Sequence, residues 1–200
     1  MLSGEDKILR SIGCRKDDSS YLEFKKAFLE VKDESVCVMR PRAAAVIGKI
    51  PAEFPRSVRF YGREIIFFMI TLGSEIVVLS DKYMKKGEFI KGMLVDGIAG
   101  DCLFSCEKIV LHEIEKHARK EGFGIEGIYD APEAIEGKMQ KLIAAMLDAE
   151  KNLGVTVTEN YMLSPVKTYA CVMPLLDDVK VMNVYHDCSK CNMKKCSYRG

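Results

Sequence analysis

The chain has 200 residues, with 30 basic side chains against 29 acidic ones and a formal charge of +1. Its composition, 48 % hydrophobic and 30 % charged, is that of an ordinary globular chain, and its length suits one domain or two small ones. A charge this balanced offers no basic excess to phosphates, so no nucleic acid is expected among its partners.

The opening Met-Leu-Ser-Gly-Glu-Asp-Lys carries no charged-then-apolar leader, which predicts a cytoplasmic protein without a secretory signal. A short helix is expected over residues 4–12, ending at Gly13. Ser20-Tyr21-Leu22-Glu23 is a capping-box pattern, in which Ser and Glu side chains satisfy free amides, and it predicts a helix over residues 20–31. Residues 35–39 and 43–47 read as β-like pieces separated by Arg40-Pro41-Arg42, and Pro51 and Pro55 mark a loop.

Residues 64–71, Glu-Ile-Ile-Phe-Phe-Met-Ile-Thr, are apolar, β-branched and aromatic and predict a strand buried on both faces. The longest apolar stretch, residues 65–72, stops at Gly73. That is well short of the roughly 20 residues that span a bilayer, so no membrane segment is expected. A helix should follow Gly73, with two more over residues 89–98 and 101–119. The last carries Leu103, Cys106, Ile109, Val110, Ile114 and His117 at three- and four-residue steps, an amphipathic pattern.

Gly122, Gly124 and Gly127 form a glycine-rich connection. Asp130-Ala131-Pro132-Glu133 then predicts another helix, with Asp as its cap and Pro in its first turn. Ile135, Met139, Leu142, Ile143, Met146 and Leu147 give that helix an apolar face, and Gly154 stops it. Residues 156–158, 162–163, 168–173 and 179–184 read as strands. Helices and strands alternate without a βαβ period, so the expected fold class is α+β.

Three of the eight cysteines, Cys188, Cys191 and Cys196, crowd the end of the chain behind His186. Two thiolates separated by two residues grip one ion from one side of a turn, Cys196 adds a third sulfur, and His186 is a fourth candidate ligand. Zinc and an iron–sulfur cluster both suit that set. Lys190, Lys194, Lys195 and Arg199 favour thiolate, which keeps a redox-active pair and a tail of unligated thiols as alternatives.

Elsewhere the signals are weaker. His112 and His117 lie five residues apart and do not form an i, i+4 ligand pair. Asp101 and Ser105 share one helix face, where Asp101 can serve as a helix cap. The glycines are not followed by Gly-Lys-Ser/Thr, so they do not form a phosphate loop.

Residues 146–165, Met-Leu-Asp-Ala-Glu-Lys-Asn-Leu-Gly-Val-Thr-Val-Thr-Glu-Asn-Tyr-Met-Leu-Ser-Pro, resemble the activation domain of vitamin B12-dependent methionine synthase. That family has a helix ending in Leu-x-x-x-Glu-Lys-x-x-Gly, a Leu-Thr-Glu-Ser strand, a proline and a return strand, here Lys167-Thr168-Tyr169-Ala170. Thr71-Leu72-Gly73-Ser74-Glu75, Val95-Asp96-Gly97-Ile98-Ala99-Gly100 and Ile8-Leu9-Arg10-Ser11-Ile12-Gly13 are similar to its stand-alone members. The resemblance covers most of residues 4–185.

It implies a twisted antiparallel sheet flanked by helices, with S-adenosylmethionine held in a shallow groove and presented to a corrinoid whose cobalt has been oxidised. Reduction coupled to methyl transfer then restores methylcobalamin. Asp101 matches the family's helix aspartate, and Ser105 stands where the family has a glutamate. Tyr185 lies near a tyrosine pair that closes the groove, and Glu159 belongs to the expected ligand-binding set.

The family's Arg-x-x-Pro-Gly-Tyr motif is represented by Phe123-Gly124-Ile125-Glu126-Gly127-Ile128-Tyr129, without the arginine and with Tyr129 as a displaced tyrosine. The tail resembles those of some stand-alone relatives. An Asp-x-His-x-x-Gly cobalamin signature is absent, so cobalamin would come from a partner, a corrinoid-carrying protein or methyltransferase.

Residues 1–185 are thus expected to form an activation-domain-like body, with residues 1–60 as a candidate subdomain and 186–200 as a cysteine-rich tail. The implied role is an accessory to corrinoid-dependent methyl transfer, at most a reactivation component and not a complete methionine synthase. The alternative is a binding or regulatory module of the same fold, its adenosylmethionine site lost and its tail a structural zinc site.

Overall fold

The computed structural model describes residues 4–52, 60–132 and 134–185. They fall into two compact units, one of residues 4–41 with 72–106 and one of residues 42–71 with 107–185. The first unit is helical. It holds α1 (Glu5–Ser11), α2 (Tyr21–Val38), α3 (Glu75–Lys85) and the first half of α4 (Phe89–Lys120). Ile8, Leu9, Phe28, Val31, Leu94 and Ile98 are buried together as its core.

The second unit is built on a sheet. Strands β1 (Arg42–Lys49), β2 (Glu64–Thr71) and β7 (Thr168–Leu176) run antiparallel in that order. Two short strands, β3 (Gly124–Ile125) and β4 (Tyr129–Asp130), both pair with β7. Against one sheet face lie α5 (Met139–Met146) and α6 (Ala149–Leu153), whose Met139, Leu142, Ile143 and Leu153 share a core with Ile65, Phe67 and Met69. The other face carries Ile66, which lines a shallow hollow of ≈ 260 Å³ with Val110 and Ile114 of α4. A two-stranded ladder, β5 (Thr156–Val157) with β6 (Leu163–Ser164), completes the unit. The architecture is α+β, an antiparallel sheet flanked by helices, as the sequence predicts. Strand β2 has the expected bounds and is buried on both faces from Ile65 to Thr71.

Several elements differ from the sequence expectation for identifiable reasons. Residues 35–38 are helical, not β-like. The three- and four-residue spacing of Phe28, Val31, Ser35 and Val38 carries the buried face of α2 on to its end, and the Ser35 hydroxyl is satisfied by the Val31 carbonyl at 2.7 Å. Packing thus overrides the β preference of Val36-Cys37-Val38. At the other end of α2, Ser20 is itself in the helical region and makes no side-chain cap, so the capping box does not form.

The two helices expected over 89–98 and 101–119 are one continuous helix, α4. Ile98, Ala99 and Cys102 are buried around Gly97 and Gly100, and that burial outweighs the roughly 1 kcal/mol that each helical glycine costs. Asp101 is therefore interior to a helix and caps nothing.

The helix expected to open at Asp130 begins instead at Met139. Asp130 is committed to β4, opposite Cys171 of β7, and a turn follows in which its carbonyl accepts from the amides of Ala134 and Ile135. Residues 179–184 form no full strand. Their only bridge among the described residues is Met182 against Ile125.

Candidate ligand-binding site

Strand alternation places Tyr169 and Cys171 on the same face of β7, and the register sets Asp130 of β4 directly opposite Cys171. Phe68 of β2 pairs with Cys171 from the other side, and its ring meets Tyr169 edge-on at 6.5 Å. The second half of α4, from Glu107 on, lies over this face. Glu107, Val110 and Ile114 follow one another at three- and four-residue steps, so the side that carries Val110 and Ile114 into the sheet also carries Glu107.

Two carboxylates, a phenol and a thiol thus meet in apolar surroundings, and their proton affinities show it. Burial pushes the half-buried Glu107 carboxyl up to about 7, and the charge of Asp130 adds to the effect. Burial likewise raises the Tyr169 hydroxyl and the fully buried Cys171 thiol, which share a hydrogen bond. Both stay protonated at neutral pH. The cation that tempers Glu107 is Lys108, an exposed side chain. A half-buried carboxyl raised in this way, with a second carboxylate beside it, is suited to a cationic ligand, whose charge would ionise Glu107 fully.

A second group of side chains surrounds the segment between β3 and β4. The Arg63 guanidinium lies 2.6 Å from Glu126, donates to the Leu175 carbonyl at 3.2 Å and stands 5.6 Å over the Phe60 ring. Tyr129 donates to the other side of the Glu126 carboxylate at 2.8 Å and packs on Phe60 with ring centroids 4.7 Å apart. An arginine therefore does reach the segment that lacks one in sequence, from the chain leading into β2. Its charge is already matched by Glu126.

The residues singled out from the sequence are distributed as follows. Asp101, 2 % exposed, and Ser105, one turn later and half-buried, belong to the first unit. Tyr129, Glu159 and Tyr185 belong to the second. Tyr129 is half-buried in the cluster just described, and Glu159 is exposed between β5 and β6. Tyr185 is half exposed and donates to Glu115 of α4 at 3.1 Å, with His112 Nδ1 3.5 Å away. His186, Cys188, Cys191 and Cys196 lie outside the described residues, among which no group of three or more His, Cys, Asp or Glu side chains could hold a metal.

Glu107 and Asp130 are residues of this candidate site that sequence reading passes over. The signal for Glu107 was present, since it is an ionisable residue in step with the apolar stripe of an amphipathic helix. Asp130 was visible only as a supposed helix cap.

No family model matches the sequence, and no curated protein does. Among solved structures, the crystal structure of the MetH reactivation domain bound to AdoHcy is similar to this chain. The TM-score is 0.60, over 92 % of this chain and 73 % of that one, at 14 % identity. The likeness establishes a common fold.

Proposed function

We propose that this chain binds S-adenosylmethionine, or a ligand of that type, and serves as an accessory to corrinoid-dependent methyl transfer in which a partner carries the cobalamin. The fold likeness to a reactivation domain solved with AdoHcy, spanning nearly the whole chain, is the observation that carries the reading. The Glu107–Asp130 pair supports it chemically. S-adenosylmethionine presents an ammonium and a sulfonium, and carboxylates in a low-dielectric wall are the natural partners of such cations. Tyr169 adds a hydroxyl that remains a donor at neutral pH.

The corrinoid would be supplied in trans by a corrinoid-carrying protein or methyltransferase. His186, Cys188, Cys191 and Cys196 would hold zinc or an iron–sulfur cluster, the latter suited to passing an electron to that partner.

Titration calorimetry tests the ligand. With Glu107 near half-protonation at pH 7, a bound cation should drive off roughly half a proton per site, read as a dependence of the heat on buffer ionisation enthalpy. Affinity should rise between pH 5 and 8. In Glu107→Gln the proton release should vanish, and Asp101→Ala tests the assignment that the sequence resemblance makes. Absence of saturable heat with both S-adenosylmethionine and S-adenosylhomocysteine up to millimolar concentration rules the proposal out.

A further inference from the structure

Helix α2 turns Ala27, Phe28, Val31 and Ser35 inward, and its outer side is not simply polar. Leu22, Leu29 and Val36 recur at seven-residue intervals and are 77 %, 51 % and 49 % exposed. Lys26 and Asp33, both exposed, fall between them. The five positions 22, 26, 29, 33 and 36 step by four, three, four and three residues. That is the spacing of a coiled-coil seam, here read as Leu-Lys-Leu-Asp-Val over about 21 Å of helix.

Of the charges near the seam, Glu23 and Lys32 make no ion pair among the described residues, and three others are engaged within the unit. Lys25 pairs with Glu5 at 3.1 Å, Glu30 with Lys91 at 3.0 Å and Glu34 with Lys82 at 3.5 Å. Lys26 and Asp33 make no ion pair among the described residues.

The order of these five side chains selects their partner. Reversed, the seam reads Val-Asp-Leu-Lys-Leu. Two copies laid antiparallel about an axis at Leu29 therefore set Leu22 against the partner's Val36 and Lys26 against the partner's Asp33, each contact occurring twice. A parallel pairing would oppose Lys26 to Lys26 and Asp33 to Asp33, like charge to like. We infer that the α2 seam is a self-complementary docking surface through which two copies of this chain associate antiparallel, with Leu29 at the two-fold axis. Such isologous pairing closes on itself and gives a dimer, not a filament. The seam is short, below the size of a standard stable interface, so the expected dissociation constant is about 10–100 μM.

Sedimentation velocity of the full chain between 1 μM and 1 mM tests this. A concentration-dependent dimer is expected, weakening as salt rises. Leu29→Glu, at an exposed position, should leave the circular dichroism unchanged and weaken the dimer at least tenfold. Lys26→Asp alone and Asp33→Lys alone should each weaken it about tenfold, since either replaces two attractions by two repulsions. The double variant K26D/D33K should recover to within about threefold of the parent, because the swapped charges still face each other in the antiparallel arrangement. A chain that stays monomeric at 1 mM overturns the inference. So does a dimer insensitive to Leu29→Glu, or one that the double swap fails to restore.

Discussion

Glu107 shows how much one side chain's surroundings decide. In an exposed helix it would titrate near 4.5, but on the sheet side of α4 burial lifts it to about 7. Between those values the folded chain holds a proton that the unfolded chain has released, so stability falls as pH rises through this window. Below about 4.5 both states are protonated and the penalty disappears. Glu107→Gln should therefore match the parent in urea denaturation near pH 4.5 and exceed it by roughly 2 kcal/mol at pH 8, a figure that allows for partial exposure. An equal difference at both pH values would show that Glu107 is well solvated. Asp101 teaches the complementary lesson. Its neighbours in sequence suggest a cap, but two glycines that fail to break a well-packed helix leave it in the interior instead.

At the scale of elements, local pattern was most informative where one periodicity met one environment. Residues 64–71 form β2 because a continuous β-branched and aromatic run of strand length has only a doubly buried strand position to fill. Gly154 ends α6 in the left-handed region, at φ 68°, as a helix-terminating glycine does. Pattern misled where two signals competed, as in residues 35–38, where burial spacing prevailed over β propensity.

Among the glycines between α4 and β4, structure separates one role from another. A Cβ on Gly124 would collide with the carbonyl oxygen of Asp178 and lie 2.8 Å from that of Val181, whereas one on Gly127 would meet the Tyr129 ring at an ordinary 3.5 Å. Gly124→Ala should thus part the two segments joined by Ile125 N–H to Val181 and Asn183 N–H to Ile125. The expected cost is about 2–4 kcal/mol in a denaturation midpoint, with Gly127→Ala near neutral.

Across the whole molecule the described residues build two separate cores, one mainly from helices and one around the sheet, from segments that alternate along the chain. If the tail is a metal site, its three cysteines should be indispensable to it. Replacing Cys188, Cys191 and Cys196 together by Ser should abolish bound zinc or iron in anaerobically purified protein, with the near-ultraviolet circular dichroism of the body unchanged. Metal that survives the triple replacement would place the site elsewhere.

The sequence by itself determined the α+β class, most helices, the central strand and the want, among the described residues, of any helix both long and apolar enough to cross a membrane. Each of these depends on periodicity and composition over about ten residues. Only the tertiary structure decided which carboxylates share a wall, which glycine lets two backbones touch and where Arg63 goes. Those outcomes depend on register and packing between segments distant in the chain, and no local pattern records them.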